Sequence, residues 1–331
     1  MRRPLSIVLM VALTIVQASP AFAYLKFGTP VNGRNVTLKW AQTPIRYAIT
    51  NSSVPGVSAD DFQAAVGRAF ATWQAVPTAA IAYQLAGATN AVPGRDDGVS
   101  TLGFLSRPDL DRVLASTSFV VDASTGALVE SDIFFNSAFP WSVAVNGESG
   151  RYDLQSIALH EIGHFSGLGH SALGETQLRA GGGRQVLSAE AVMFPIAFAA
   201  GSTAGRTLKA DDLAGISDLY PAAGVQNSSL SGRVTKNGTP VFGAHVVAFD
   251  PSTGSLVGTF TLTTQGEFVI GGLSPGPRIV RVEPLDDADI DSFFDATRTV
   301  DIDFRVVFAD RAVVVPRNGD SGSIAIAVVP K

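Results

Sequence analysis

The chain contains no cysteine, and its lysines and arginines never form a run. Without a thiol there is no disulfide, no thiolate ligand and no cysteine nucleophile, so folding must rely on an apolar core. Charged residues are only 16% of the chain and the net charge is −5, which gives no support to a nucleic-acid or anionic-membrane partner. The apolar fraction of 46% over 331 residues is typical of packed structure and is enough for two domains.

Long apolar runs are also scarce, and the one at the N-terminus has a specific form. Arg2-Arg3 precede an apolar stretch at residues 5–16, and the small residues of Ala21-Phe22-Ala23 follow. This order is typical of a secretory signal peptide, and the stretch is shorter than the roughly 20 residues of a membrane span. We expect a signal peptide at residues 1–23, cleavage before Tyr24, and a secreted mature chain with no membrane span. A membrane anchor is the alternative.

The first half of the chain predicts strands and helices in alternation. Apolar residues alternate in segments near residues 36–49, 81–85, 99–105, 113–121 and 128–135, and each segment predicts a strand. Ser58 and Asp153 are suitable N-caps for two helices, and a third is predicted from Leu208 to Tyr220, with Leu213 facing inward. The glycine-rich stretch around residues 181–183 predicts irregular structure.

The second half has a different pattern. Short alternating segments with turn signals such as Asn237-Gly238 predict an antiparallel β-sandwich. Small residues at 222–229 predict the linker, so we expect domains at residues 24–225 and 226–331. If the boundary lies here, residues 24–225 should keep their activity when they are separated from the sandwich.

Three of the four histidines lie within one short motif. His160 and His164 are four residues apart, on one face of a helix, so both can reach one metal ion. Glu161 is rotated about 100° from His160 and can address a water on that ion. Gly167 can turn the chain sharply, and His170 then returns as a third ligand. Three imidazoles and one open position are typical of a catalytic zinc site. For His245, the fourth histidine, an ordinary structural role is favoured.

The string from His160 to His170, followed by Met193, resembles the metzincin signature HExxHxxGxxH with its Met-turn. Ser171 and the sequence Val192-Met193-Phe194-Pro195 are similar to the matrixin branch, as are Asp132-Ile133-Phe134-Phe135-Asn136 and the terminal helix through Tyr220. The resemblance covers about residues 36–221. It implies an α/β (α+β) domain with a twisted, mostly parallel five-stranded sheet and three helices.

The resemblance also implies roles for single residues. The zinc ligands correspond to His160, His164 and His170, the general base to Glu161, and the methionine beneath the metal to Met193. Pro195 begins the wall of the substrate pocket, which continues through Ile196 and Ala197. Either Asp211 or Asp212 ties the last helix to the Met-turn. One catalytic Zn²⁺ is implied, and structural Ca²⁺ is left open.

The chain departs from the animal matrix enzymes of that branch. Their propeptide cysteine has no counterpart here, so we expect no thiol-dependent latency. Histidines of a second, structural zinc site are missing from residues 90–136. Ala197 stands where the pocket wall usually carries tyrosine, which leaves the size of the pocket undetermined.

The C-terminal region resembles the transthyretin-like, carboxypeptidase-regulatory type of β-sandwich. The cues are Ser231-Gly232-Arg233-Val234, the segment from Pro240 to Ala248, and Gly266-Glu267-Phe268. The sandwich is a candidate site for a surface or a protein partner. The function expected for the whole chain is a secreted zinc endopeptidase that cleaves extended protein substrates. The alternative is a non-catalytic adhesin, and the presence of Glu161 argues against it.

Overall fold

The structure is a computed structural model that describes residues 26–32, 34–225, 228–295 and 298–331. The predicted signal peptide, its cleavage site and Tyr24 lie outside the described residues, as do residues 226 and 227 of the predicted linker. Over the described ranges, no helix has the length and apolar character needed to cross a bilayer.

The N-terminal part builds one main sheet and three α-helices, as predicted. Its elements in chain order are β1 (Gly28–Val31), β2 (Arg34–Thr37), β3 (Lys39–Trp40), β4 (Ile45–Thr50), α1 (Ala59–Gln74), β5 (Tyr83–Thr89), β6 (Thr101–Leu105), β7 (Ala115–Val121), β8 (Ala127–Asn136), β9 (Trp141–Ser142), β10 (Tyr152–Asp153), α2 (Leu154–Phe165), β11 (Gly174–Leu178), β12 (Arg184–Ala189) and α3 (Ala210–Leu219).

The main sheet has the order β5-β4-β6-β8, and both β3 and β7 also pair with β8. Every pairing in it is parallel except that of β7, which runs antiparallel to β8. The predicted five-stranded, mostly parallel sheet is therefore found as a mixed sheet of six strands, because the two-residue β3 joins it.

Local sequence determines where the first two helices begin. Ser58 accepts a hydrogen bond from the backbone N–H of Asp61, and Asp153 accepts one from Ser156, so both predicted N-caps are present. The apolar face of α1 is buried, and the Trp73 indole donates to the Leu159 carbonyl at 2.8 Å. This contact fixes α2, which carries the histidine motif, against α1 in the core.

The described residues of the C-terminal region form two sheets. Its strands are β13 (Ser228–Lys236), β14 (Thr239–Pro240), β15 (His245–Phe249), β16 (Leu256–Phe260), β17 (Glu267–Ile270), β18 (Gly276–Glu283), β19 (Val307–Phe308), β20 (Val313–Val315) and β21 (Gly319–Val328). One sheet has the order β14-β13-β17 with β21 beside β13, and the other has the order β16-β15-β18-β19 with β20 beside β18. The predicted turn is present, since Asn237 and Gly238 both have positive φ.

One prediction about local structure is wrong, and one element was not predicted. The glycine-rich stretch at residues 181–183 is irregular, as expected, but it forms part of the turn between β11 and β12, which pair as an antiparallel hairpin that the sequence analysis did not predict. The sequence hid this hairpin because it is largely exposed and carries few apolar side chains. Leu213 does not face inward: it is 38% exposed, although its neighbours on α3 are buried.

Candidate metal centre

The histidine motif begins on α2 and ends just beyond it. His160 and His164 lie one helical turn apart, and α2 ends at Phe165. Gly167 follows with a φ of +102°, which favours glycine. A β-carbon at this position would stand 2.5 Å from the Leu38 carbonyl oxygen. The glycine therefore allows the sharp turn that returns His170 to the same side.

The three imidazoles converge on one point. One nitrogen from each of His160, His164 and His170 lies within 4.8 Å of the others, and the Nε2 atoms of His164 and His170 are 3.2 Å apart. The Nδ1 atoms face away from this point. Each is within hydrogen-bonding distance of a backbone carbonyl oxygen. His160 contacts the carbonyl of Val192 at 2.8 Å, His164 that of Leu168 at 2.8 Å, and His170 that of Ser292 at 2.6 Å.

The residues present fit a zinc ion. A carbonyl oxygen only accepts, so each Nδ1 carries the proton and each Nε2 is left with its lone pair. Burial lowers the pKa of all three rings, to about 3 for His160, so the imidazoles are neutral. Two lone pairs 3.2 Å apart repel each other unless a cation lies between them. Tetrahedral zinc with bonds of about 2.05 Å would separate two ligand nitrogens by about 3.3 Å.

Glu161 lies on the same helix, with its carboxylate beside β7. It is 5% exposed, and burial raises the pKa of its carboxyl to about 7. The Thr117 hydroxyl is 2.6 Å from its Oε2 and acts in the opposite direction, since this hydrogen bond lowers the pKa of Glu161. A carboxylate with a pKa near neutrality is suited to accepting and releasing a proton.

Met193 lies beneath the motif and is 2% exposed. A β-carbon at Gly163 would overlap the Met193 sulfur, so the glycine between the two helical histidines makes room for this side chain. The Met193 backbone is held in turn by Asp212, whose carboxylate accepts from the N–H of Val192 at 2.8 Å and of Met193 at 3.2 Å.

The neighbouring aspartate makes a different contact. Asp211 is 1% exposed, and its carboxylate accepts from the backbone N–H of Gly258 in the C-terminal region at 2.8 Å. Burial, and secondly the adjacent Asp212, raise the pKa of Asp211 to about 7. Of the two aspartates that the sequence left open, Asp212 therefore contacts the Met-turn and Asp211 contacts the C-terminal region.

The triad opens into a cleft of about 350 Å³. Pro195, Ile196, Ala197 and Phe198 contribute to its lining, and so do residues 113–117. Ala197 is exposed, whereas Ile196 and Phe198 pack against a cluster that includes Phe293 and Phe294 of the C-terminal region. The wall of the cleft is therefore supported by both parts of the chain.

Sequence reasoning missed four contributors to this site: Thr117, Gly163, Phe198 and Ser292. Gly163 had a signal, because a glycine between two helical histidines permits close approach from below. Thr117 and Ser292 had no such signal. Thr117 is 44 positions from its partner Glu161, and Ser292 is 122 positions from its partner His170, so no local pattern links them.

A family comparison agrees with this geometry. Residues 39–180 match the family model described as Matrixin. The match includes α1, the main sheet, α2 and all three histidines, and it ends before Met193, α3 and the C-terminal region. It spans less than half of the 331 residues. The matched segment and the histidine triad together fit a matrixin-like metzincin and support a metallopeptidase.

Proposed function

We propose that this protein is a secreted zinc-dependent endopeptidase. The observation that carries the proposal is the convergence of three neutral Nε2 lone pairs beside the buried carboxylate of Glu161, on one wall of an open cleft. His160, His164 and His170 would hold one zinc ion and leave one coordination position open. When bound, that ion supplies Lewis-acid chemistry to a carbonyl and to a water.

The residues of the chain supply the proton transfers. The Glu161 carboxylate takes a proton from the attacking water and then delivers it to the nitrogen of the departing amine. Thr117 orients this carboxylate through its hydroxyl. Burial raises the pKa of Glu161 to about 7. At this pKa the carboxylate is a stronger base than an exposed one, and the carboxylic acid can still release the proton to the amine.

Strand β7 supports an extended substrate. Residues 115–117 of β7 line the cleft, and among the described residues β7 pairs only with β8. The other edge of β7 is therefore available for backbone hydrogen bonds, which is the usual way in which an extended peptide adds to a sheet. We propose that the substrate chain lies along this edge with its scissile carbonyl above the triad.

Two variants test the mechanism and the site separately. Glu161→Gln keeps the shape but removes the base, so zinc content should stay near one per chain while peptide cleavage falls by about 10²–10⁴-fold. His164→Ala should lose the zinc itself, and with it activity and some stability. Zinc per chain and the cleavage rate of a mixed peptide library are measured for each.

Glu175→Gln is the matched control, because Glu175 is an exposed carboxylate on β11. This variant should cleave peptides at the wild-type rate. Full activity in Glu161→Gln would refute the mechanism. Stoichiometric zinc in His164→Ala would refute the site.

Export and the C-terminal fold are further parts of the proposal. The signal pattern at residues 1–23 supports secretion, and N-terminal sequencing of the exported chain should begin at Tyr24; a start far downstream would contradict it. The two C-terminal sheets support a transthyretin-like sandwich at residues 226–331. An experimental structure in which these sheets do not face each other would contradict that fold.

A further inference from the structure

The third histidine of the triad is held by the C-terminal region. His160 and His164 donate to carbonyls of Val192 and Leu168 in the N-terminal part. His170 instead donates from Nδ1 to the carbonyl of Ser292, which lies 122 residues further along the chain, at 2.6 Å. Ser292 is the last residue of a short 3-10 helix at Ile290–Ser292. Residues 286–294 are called the Ser292 turn below.

Polar contacts fix the Ser292 turn to the β11–β12 hairpin. The backbone N–H of Thr176 donates to Asp287 Oδ1 at 2.8 Å, and the Thr176 hydroxyl donates to the Asp287 carbonyl at 2.6 Å. From β12, the Arg184 guanidinium donates to the Asp286 carbonyl at 3.0 Å. The hairpin begins only a few residues after His170. It therefore holds the Ser292 turn close to His170.

Apolar contacts fix the turn from the other side. Phe293 and Phe294 are 2% and 4% exposed and share a cluster with Phe194, the residue after Met193. The Phe293 ring meets His170 edge-on, with centroids 6.1 Å apart, and packs on Phe260 of β16 at 5.3 Å. Because Phe293 is bonded directly to Ser292, its packing sets the position of the Ser292 carbonyl.

We propose that the Ser292 turn is a positioning element of the metal centre. Its carbonyl keeps the proton of His170 on Nδ1 and orients the ring so that Nε2 faces the ion. Zinc affinity then depends on the C-terminal region, and the expectation that residues 24–225 work alone conflicts with this contact. The inference rests on the proposed zinc site but not on peptide hydrolysis.

The first test measures zinc affinity of the full-length chain by competition with a chromophoric chelator. Phe293→Leu removes the ring that positions Ser292, and it should weaken zinc binding by about 10–100-fold, the usual effect of losing a ligand's hydrogen-bonding partner. Phe268→Leu is the matched control. Phe268 is fully buried in β17 and its ring lies against Gly232 of β13, so Phe268→Leu should lower stability but leave zinc affinity unchanged.

The second test uses the wild-type chain and does not depend on a variant that folds. The amides of Phe293 and Phe294 donate to the Ile290 carbonyl, so their hydrogen exchange reports opening of the turn. Coupling is reciprocal, so zinc should slow this exchange by the same factor of about 10–100. Exchange in β17 should change much less.

The outcomes separate the two proposals. A wild-type chain that binds no zinc refutes the proposed function. A wild-type chain that binds zinc without slower exchange in the Ser292 turn overturns the inference alone, as does a folded Phe293→Leu chain with wild-type zinc affinity.

Discussion

The Thr117 hydroxyl should set the pH range in which the enzyme works. Thr117 is 7% exposed, and its Oγ1 lies 2.6 Å from Glu161 Oε2. This hydrogen bond favours the carboxylate and lowers the pKa of Glu161, against the larger effect of burial. Thr117→Val removes the donor and nearly keeps the shape, so the pKa of Glu161 must rise.

The size of the shift follows from the hydrogen bond. A hydrogen bond to a charged group contributes about 1.5–3 kcal/mol, and one pKa unit corresponds to about 1.4 kcal/mol. The pKa of Glu161 should therefore rise by about one to two units. The base is active only as the carboxylate, so activity is lost as pH falls through this pKa, and the acid limb of the profile moves to higher pH.

The assay is kcat/KM for a quenched-fluorescence peptide across the acid and neutral range, since this ratio reports groups of the free enzyme. Thr117→Ser keeps the hydroxyl and should restore the wild-type limb, and zinc per chain should be equal in all three proteins. A Thr117→Val enzyme with full zinc and an unmoved acid limb would refute the reasoning.

Two further predictions concern stability and are checked by denaturant unfolding. Asp212→Ala leaves the N–H groups of Val192 and Met193 without their acceptor and should lower the free energy of unfolding by about 2–6 kcal/mol; a loss within error of the wild type would show that the Met-turn does not need this carboxylate. Gly167→Ala places a β-carbon 2.5 Å from the Leu38 carbonyl oxygen at a φ of +102°. It should lower the free energy of unfolding by about 2–6 kcal/mol, because backbone strain and steric overlap add. An unchanged denaturation midpoint would contradict this prediction.

Local sequence was sufficient to predict the structure wherever the interacting groups are close along the chain. The N-caps at Ser58 and Asp153 act over three residues, and the positive φ of Asn237 and Gly238 is a property of a single turn. The spacing of His160 and His164 is likewise fixed by the pitch of one helix. These features depend on backbone geometry and short side chains, and a linear sequence displays both.

Contacts between distant segments could only be seen in the folded chain. Asp211 and Asp212 are adjacent and chemically identical, and only the packing of α3 directs one to Gly258 and the other to the Met-turn. The acceptor for His170, the third histidine of the triad, is a backbone carbonyl, that of Ser292, and every residue type has such a group. The histidine spacing thus determined which atoms could bind zinc, whereas the tertiary structure decided what holds them in place, because orientation comes from partners that no sequence pattern marks.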